Sequence, residues 1–220
     1  MTLAERRKRA VMFLDQLSAE HPDAHIALHW TTPLELLVAT ILSAQTTDVR
    51  VNLTTPELFR RCKTPEDYLA MPEEELEELI HPTGFFRQKA RAIKGSCAGI
   101  VERFGGEVPH SVDELVTLHG VGRKTAAVVS SNAFGTRDGI AVDTHVGRVS
   151  RRLGLTRHRD PVKVERVLMQ LFPRERWLEV SDVLIFHGRR VCESRRPRCE
   201  ICAVSETCPS SLVRHGFVTR

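Results

Sequence analysis

Cys192, Cys199, Cys202 and Cys208 fall within seventeen residues as C-x6-C-x2-C-x5-C. Four thiolates on one short loop are a ligand set for a soft metal centre. Structural zinc sites usually gather their ligands as two close pairs; here only Cys199 and Cys202 stand close, and no histidine joins them. The pattern therefore suits an iron–sulfur cluster better than zinc. With no export signal, disulfides are not expected. The stretch between the first two cysteines, ESRRPR, carries Arg195, Arg196 and Arg198. A metal centre would hold it out as a stiff basic loop suited to phosphates. Cys62 and Cys97 lie in helical patterns and read as buried thiols.

A second stretch, LHGVGRKTAAVV (118–129), places Arg123 and Lys124 directly after Gly120 and Gly122. Cations at a helix N-terminus oppose the macrodipole at a cost of a few tenths to about 1 kcal/mol each. The arrangement is useful if an external anion shares the site. Gly120 and Gly122 allow positive φ or close backbone approach, and the free N–H groups of a helix start bind phosphate. On these residues alone Lys124 reads as a phosphate contact. Further on, Asp143 in VDTHV stands before a helix, as an N-cap does.

The elements that must carry these residues are helical almost throughout. Thr64 before Pro65, Ser111 with Glu114 three residues on, and Asp160 before Pro161 mark helix starts. Gly105 and Gly106 close a long helix from about Phe86, and the helix opened by Ser111 ends near Leu118. PLELLVATILSA (33–44) is apolar nearly all round and predicts a central buried helix. The best strand candidate, GIAVDTHV, is short and isolated. The expectation is an all-α fold of about ten helices with short connections.

The whole chain has 220 residues, 41% hydrophobic and 27% charged, with a net charge of +4. Positive charge is concentrated: residues 187–220 and 119–152 each carry a net +4, which suggests a patch facing a polyanion. No run is long enough to span a membrane, and the N-terminus lacks a secretory h-region. The expected location is the cytoplasm, associated with the nucleoid.

LHGVGRKTA, then Asp143 nineteen residues after Lys124 in VDTHVGRV, then the cysteine loop together resemble the endonuclease III family of helix-hairpin-helix, iron–sulfur DNA glycosylases and abasic-site lyases. LLVATILSAQTTDVRVN (36–52) and GFFRQKA (84–90) are similar to the family as well, and the resemblance runs from about residue 8 to 210. It implies two helical domains with a DNA groove between them. Residues 27–136 would form a six-helix barrel with the helix-hairpin-helix, and residues 1–26 with 137–220 a discontinuous cluster domain.

The resemblance also implies the roles. Cys192, Cys199, Cys202 and Cys208 would hold a 4Fe–4S cluster. Lys124 becomes the Schiff-base nucleophile, its ammonium disfavoured by the helix N-terminus, Arg123 and partial burial. Asp143 becomes the carboxylate that stabilises charge developing at C1′, and His145 packs or orients nearby. Gln45 and Phe85 match two positions that fill the gap left by a flipped nucleotide. Gly120, Gly122, Arg123, Arg195 and Arg196 would contact the DNA backbone. The partner would be double-stranded DNA with damaged bases or abasic sites, bound by a monomer.

Two positions depart from the family pattern: His119 stands where proline is usual, and Phe85 where leucine is common. The rival activities are an adenine-mismatch-type monofunctional glycosylase and a non-catalytic iron–sulfur DNA-binding protein. Lys124 argues against the first, as does a chain that stops twelve residues after Cys208 with no further recognition domain. The pairing of Lys124 with Asp143 argues against the second.

Overall fold

Helices begin where hydroxyl and carboxylate side chains can cap them. Thr2, Thr64 and Ser111 each accept a bond from the backbone N–H three residues on, and Glu5, Asp67 and Glu114 return it. Thr32, Thr47, Asp143 and Asp160 cap with the side chain alone. Each cap satisfies donors that the first helical turn leaves without a partner.

The computed structural model describes residues 1–219. They form α1 (Leu3–Glu20), α2 (Pro33–Leu42), α3 (Asp48–Arg61), α4 (Pro65–Ala70), α5 (Glu73–Ile80), α6 (Phe86–Phe104), α7 (Val112–Leu115), α8 (Arg123–Phe134), α9 (Thr144–Arg152), α10 (Pro161–Leu171) and α11 (Trp177–Arg190). Short 3-10 turns cover His81–Thr83 and Arg174–Arg176. The described residues contain no strand, and no helix among them is long and apolar enough to cross a membrane.

Two compact units result. In one, Ala27–Asp138, every residue of α2 from Leu34 to Leu42 is buried. This is the central helix that its apolar sequence predicts. It packs against α3, α6 and α8, while α4 and α5 lie on α6. The capping box at Ser111 opens a helix of only four residues, and turns then lead to α8. The expected helix to Leu118 is therefore shorter than its cap suggests.

The other unit joins Met1–Ile26 to the chain from Gly139 onward. Phe13, Leu14 and Leu17 of α1 enter one core with Val146, Val149, Val164, Leu168, Val180 and Leu184. Arginines on α1 add directional ties. Arg6, Arg7 and Arg9 donate to the carbonyls of Leu155, Gln170 and Leu153. These acceptors lie at or near helix ends, where carbonyls lack intrahelical donors. Ile140 and Ala141 are buried without forming a strand. Their N–H groups donate to Glu165 of α10 (3.3 Å) and to Ser181 Oγ of α11 (3.0 Å). Side chains here replace a β-ladder, which explains why a β-like sequence yields no strand.

Candidate functional site

The glycine turn before α8 is fastened to α6. Gly120 has φ 76°, and a Cβ there would lie 2.4 Å from Ala92 Cβ. Both its backbone angle and its contact therefore require glycine. Beside it, Ser96 Oγ donates to the His119 carbonyl at 2.8 Å. The His119 ring covers Gly95, where a Cβ would be 2.6 Å from the ring. Where proline would stiffen the turn, histidine anchors it by contact instead.

Gly122 differs from Gly120. It has an ordinary φ of −84°, and nothing lies within 4 Å of a Cβ built there. Protein packing does not demand a glycine at this position. As the N-cap of α8 it supplies no side-chain hydrogen bond, so no side chain caps the first turn of α8. Arg123 and Lys124 are the first two residues of that helix. The partial burial expected for Lys124 is not found: its side chain is exposed.

Gln45 and Phe85 are the two non-glycine residues with positive φ among those described, at 53° and 49°. Such angles cost roughly 1–3 kcal/mol each unless the surroundings hold them. Gln45 lies exposed in the turn from α2 to α3, and Phe85 is the N-terminal cap residue of α6. Phe85 is 57% exposed, which excludes a core role. Both line one cavity with Ala92, Gly120 and Thr125, all in the same unit.

Asp143 caps α9: its Oδ1 accepts from the Val146 N–H at 2.8 Å. The carboxylate is half-buried, and Oδ2 takes no hydrogen bond among the described residues. The buried Ile140–Val142 segment delivers it to this place. His145 packs on α11, where a Cβ on Gly188 would lie 2.8 Å from its Cβ, and its Nδ1 meets Arg148 at 3.1 Å. One carboxylate oxygen thus serves the fold and one remains available.

Cys192, Cys199, Cys202 and Cys208 line a single cavity, and none of the six cysteines is in a disulfide. Four sulfurs gathered on one cavity match the donor set of an iron–sulfur cluster. Burial opposes ionisation of the Cys192 thiol, yet donors on His187 and Arg152 lower its pKa overall. Burial pushes Cys208 up to about 11. His187 forms part of the wall: its Nε2 is 3.7 Å from Cys202 Sγ and its Nδ1 is 3.1 Å from His21 Nε2. Glu20, His187 and Cys202 come within 4.8 Å of one another.

Arg152 is a residue that sequence reasoning missed. It donates to the carbonyls of Cys192, Glu193 and Ser194 and to Cys192 Sγ. Arg148 adds bonds to the carbonyls of Cys192 and Gly188. Arg198 turns back to the Arg190 carbonyl. Arg195 and Arg196 are exposed and make no such bond among the described residues. The loop is braced from beneath and carries two unengaged guanidinium groups.

Residues 38–174 match the family described as HhH-GPD superfamily base excision DNA repair protein. An endonuclease III of a Synechocystis species is 50% identical over 95% of this chain and 95% of its own length. That of Bacillus subtilis is 48% identical over 97% and 98%. Among solved structures, a trapped endonuclease III–DNA covalent intermediate is 44% identical, with a TM-score of 0.90 over 98% of this chain and 99% of that one. A non-covalent endonuclease III–DNA complex gives the same values.

Proposed function

We infer the chemistry from one premise: this chain belongs to the endonuclease III family, within the HhH-GPD superfamily of base excision DNA repair proteins. It is a DNA glycosylase and abasic-site lyase. In our reading it takes oxidised pyrimidines or abasic sites in duplex DNA and acts as a monomer. In this reading the Ala27–Asp138 unit carries the helix-hairpin-helix, and the discontinuous unit would carry the cluster.

Lys124 is the nucleophile in this reading. Its neutral amine attacks C1′ of a flipped deoxyribose. The bond from C1′ to the base breaks, and the base leaves with the electron pair and takes a proton. Opening of the sugar ring leaves an imine between Nζ and C1′. The protonated imine acidifies the C2′ hydrogen. Loss of that proton expels the 3′ phosphate and cuts the strand on the 3′ side. Asp143 stabilises positive charge at C1′ as the base departs. Gln45 and Phe85 occupy the gap in the stack. The N–H groups at Gly122 and Arg123, with Arg195 and Arg196, hold phosphates.

Cys192, Cys199, Cys202 and Cys208 would hold a 4Fe–4S cluster, their shared cavity supporting the assignment. When bound, the cluster supplies a metal–thiolate knot for the loop and a redox-active centre. The loop's own part is to present Arg195 and Arg196, with Arg152 bracing its backbone.

One observation carries the reading. Lys124 is exposed at the start of a helix without a side-chain cap, in a chain 44% identical to an endonuclease III trapped covalently on DNA. A duplex with one oxidised pyrimidine, resolved on a denaturing gel after reaction, tests it. Strands cut with a 3′ unsaturated aldehyde are expected. Free base with intact strands would instead mean a monofunctional glycosylase.

A further inference from the structure

Lys89 of α6 is 4% exposed. Its ammonium donates to the Leu42 carbonyl (2.8 Å), to Thr46 Oγ1 (2.8 Å) and to the Thr83 carbonyl (2.7 Å). Thr46 Oγ1 also bonds to the Thr83 carbonyl. No carboxylate pairs with Lys89 among the described residues. Burying an ammonium is costly, and burial lowers this one to a pKa of about 8. An apolar side chain would avoid that penalty but would leave the Leu42 carbonyl without this donor.

The position of the three acceptors gives a reason for the cation. Leu42 and Thr46 bracket Gln45 in sequence, and Thr83 is two residues before Phe85. Gln45 and Phe85 hold their left-handed angles at the apices of those two turns. Neither turn is long enough to pack a core of its own, and both apical side chains face solvent. Lys89 joins the cavity of about 200 Å³ that Gln45, Phe85 and Gly120 line.

We propose that Lys89 is a positioning residue that ties the two turns into one rigid wedge, setting how Gln45 and Phe85 enter the DNA stack. This rests on the reading of Gln45 and Phe85 as gap-filling residues. All three ammonium protons go to protein oxygens, so the residue acts through the two turns. Its effect is confined to substrates in which bases must be unstacked, because only there must the two side chains enter together. A residue needed merely for folding would affect every substrate alike.

The test compares single-turnover cleavage of an abasic site in a duplex and in a single strand of the same sequence. Lys89→Met should slow the duplex reaction about tenfold and leave the single-strand reaction within about twofold. Thr46→Val removes one partner at near-constant shape and should act the same way more weakly. It decides the matter if Lys89→Met does not fold. Added to the Gln45→Ala, Phe85→Ala double variant, Lys89→Met should cost less than about twofold more on the duplex, since coupled residues are not additive. Equal losses on both substrates, or full additivity, would overturn the proposal while leaving the wedge reading intact. If the Gln45→Ala, Phe85→Ala variant itself shows no duplex-specific loss, the wedge reading fails and this inference falls with it.

Discussion

Gly120 and Ala92 are so close that a single added carbon on Gly120 would stand 2.4 Å from the Ala92 methyl. Gly122, two residues on, faces open space. The two glycines of one turn therefore answer to different demands, the first to packing and the second to whatever approaches the helix start.

Substitution separates those demands. Gly120→Ala should destabilise the fold by about 1–3 kcal/mol, from strain at φ 76° and from the clash with α6. Gly122→Ala should cost less, about 0.5–1 kcal/mol from a poorer N-cap with no clash, and weaken DNA binding by intruding on the backbone N–H groups. Differential scanning calorimetry with an equilibrium DNA titration checks both. Equal losses of stability would remove the distinction.

The exposed arginines of the cysteine loop and the arginine of α9 that braces it make a second contrast. Arg195→Ala and Arg196→Ala should weaken binding to damaged and undamaged duplexes alike and make the salt dependence shallower, by up to about one unit of slope each. Arg152→Ala should instead release the loop backbone, and the purified variant should lose the absorbance that the proposed cluster gives the wild-type protein. If either exposed arginine variant lost the metal while retaining the salt slope, the loop's division into brace and contact would be wrong.

Cysteine chemistry gives a third. Burial pushes the Cys97 thiol up to about 12 and raises Cys62 as well. A raised thiol pKa means less thiolate at neutral or mildly alkaline pH. Native protein should resist alkylation at both residues. Iron analysis should give about four iron and four sulfide per chain, and Cys199→Ser should lose them. Stoichiometric zinc without iron would contradict the ligand assignment.

Asp143 serves as a cap and, in the proposed reaction, as a charge. Asparagine caps a helix about as well as aspartate, whereas alanine costs roughly 1 kcal/mol. Asp143→Asn should therefore keep the melting temperature, and Asp143→Ala should lower it. Both should slow base release by about 10²–10³-fold, because neither offsets positive charge at C1′. Single-turnover base release beside calorimetry separates the roles. Normal base release by Asp143→Asn would leave Asp143 a cap only.

Local signals were legible in the sequence, and long-range ones were not. The apolar run of α2, the caps at Thr64, Ser111 and Asp160, and the stop at Gly105 all depend on neighbours within a few residues. The cysteine spacing likewise announces its chemistry through residue type. Arg152 and Lys89 announce nothing, because most of their partners are backbone carbonyls, which every residue possesses. The positive φ of Gln45 and Phe85 was hidden as well: neither residue is a glycine, and Gly84 (φ 66°) marks only the position before Phe85. The exposure of Lys124 contradicts a burial inferred from its neighbours, since sequence does not say which way the second residue of a helix points. GIAV resembles a strand because it is a short apolar run, yet Glu165 and Ser181 take the bonds a neighbouring strand would make.

The central claim is that Lys124 forms the covalent bond to DNA. Borohydride added during reaction with a duplex carrying an oxidised pyrimidine reduces the imine and fixes the complex for denaturing electrophoresis. Wild-type protein should be trapped, and peptide mapping should place the sugar on Lys124. Lys124→Ala should give no trapped complex while retaining DNA affinity within about tenfold, since the helix start, Arg195 and Arg196 remain. A normal yield of trapped complex from Lys124→Ala would show that another amine is the nucleophile and that Lys124 only holds a phosphate.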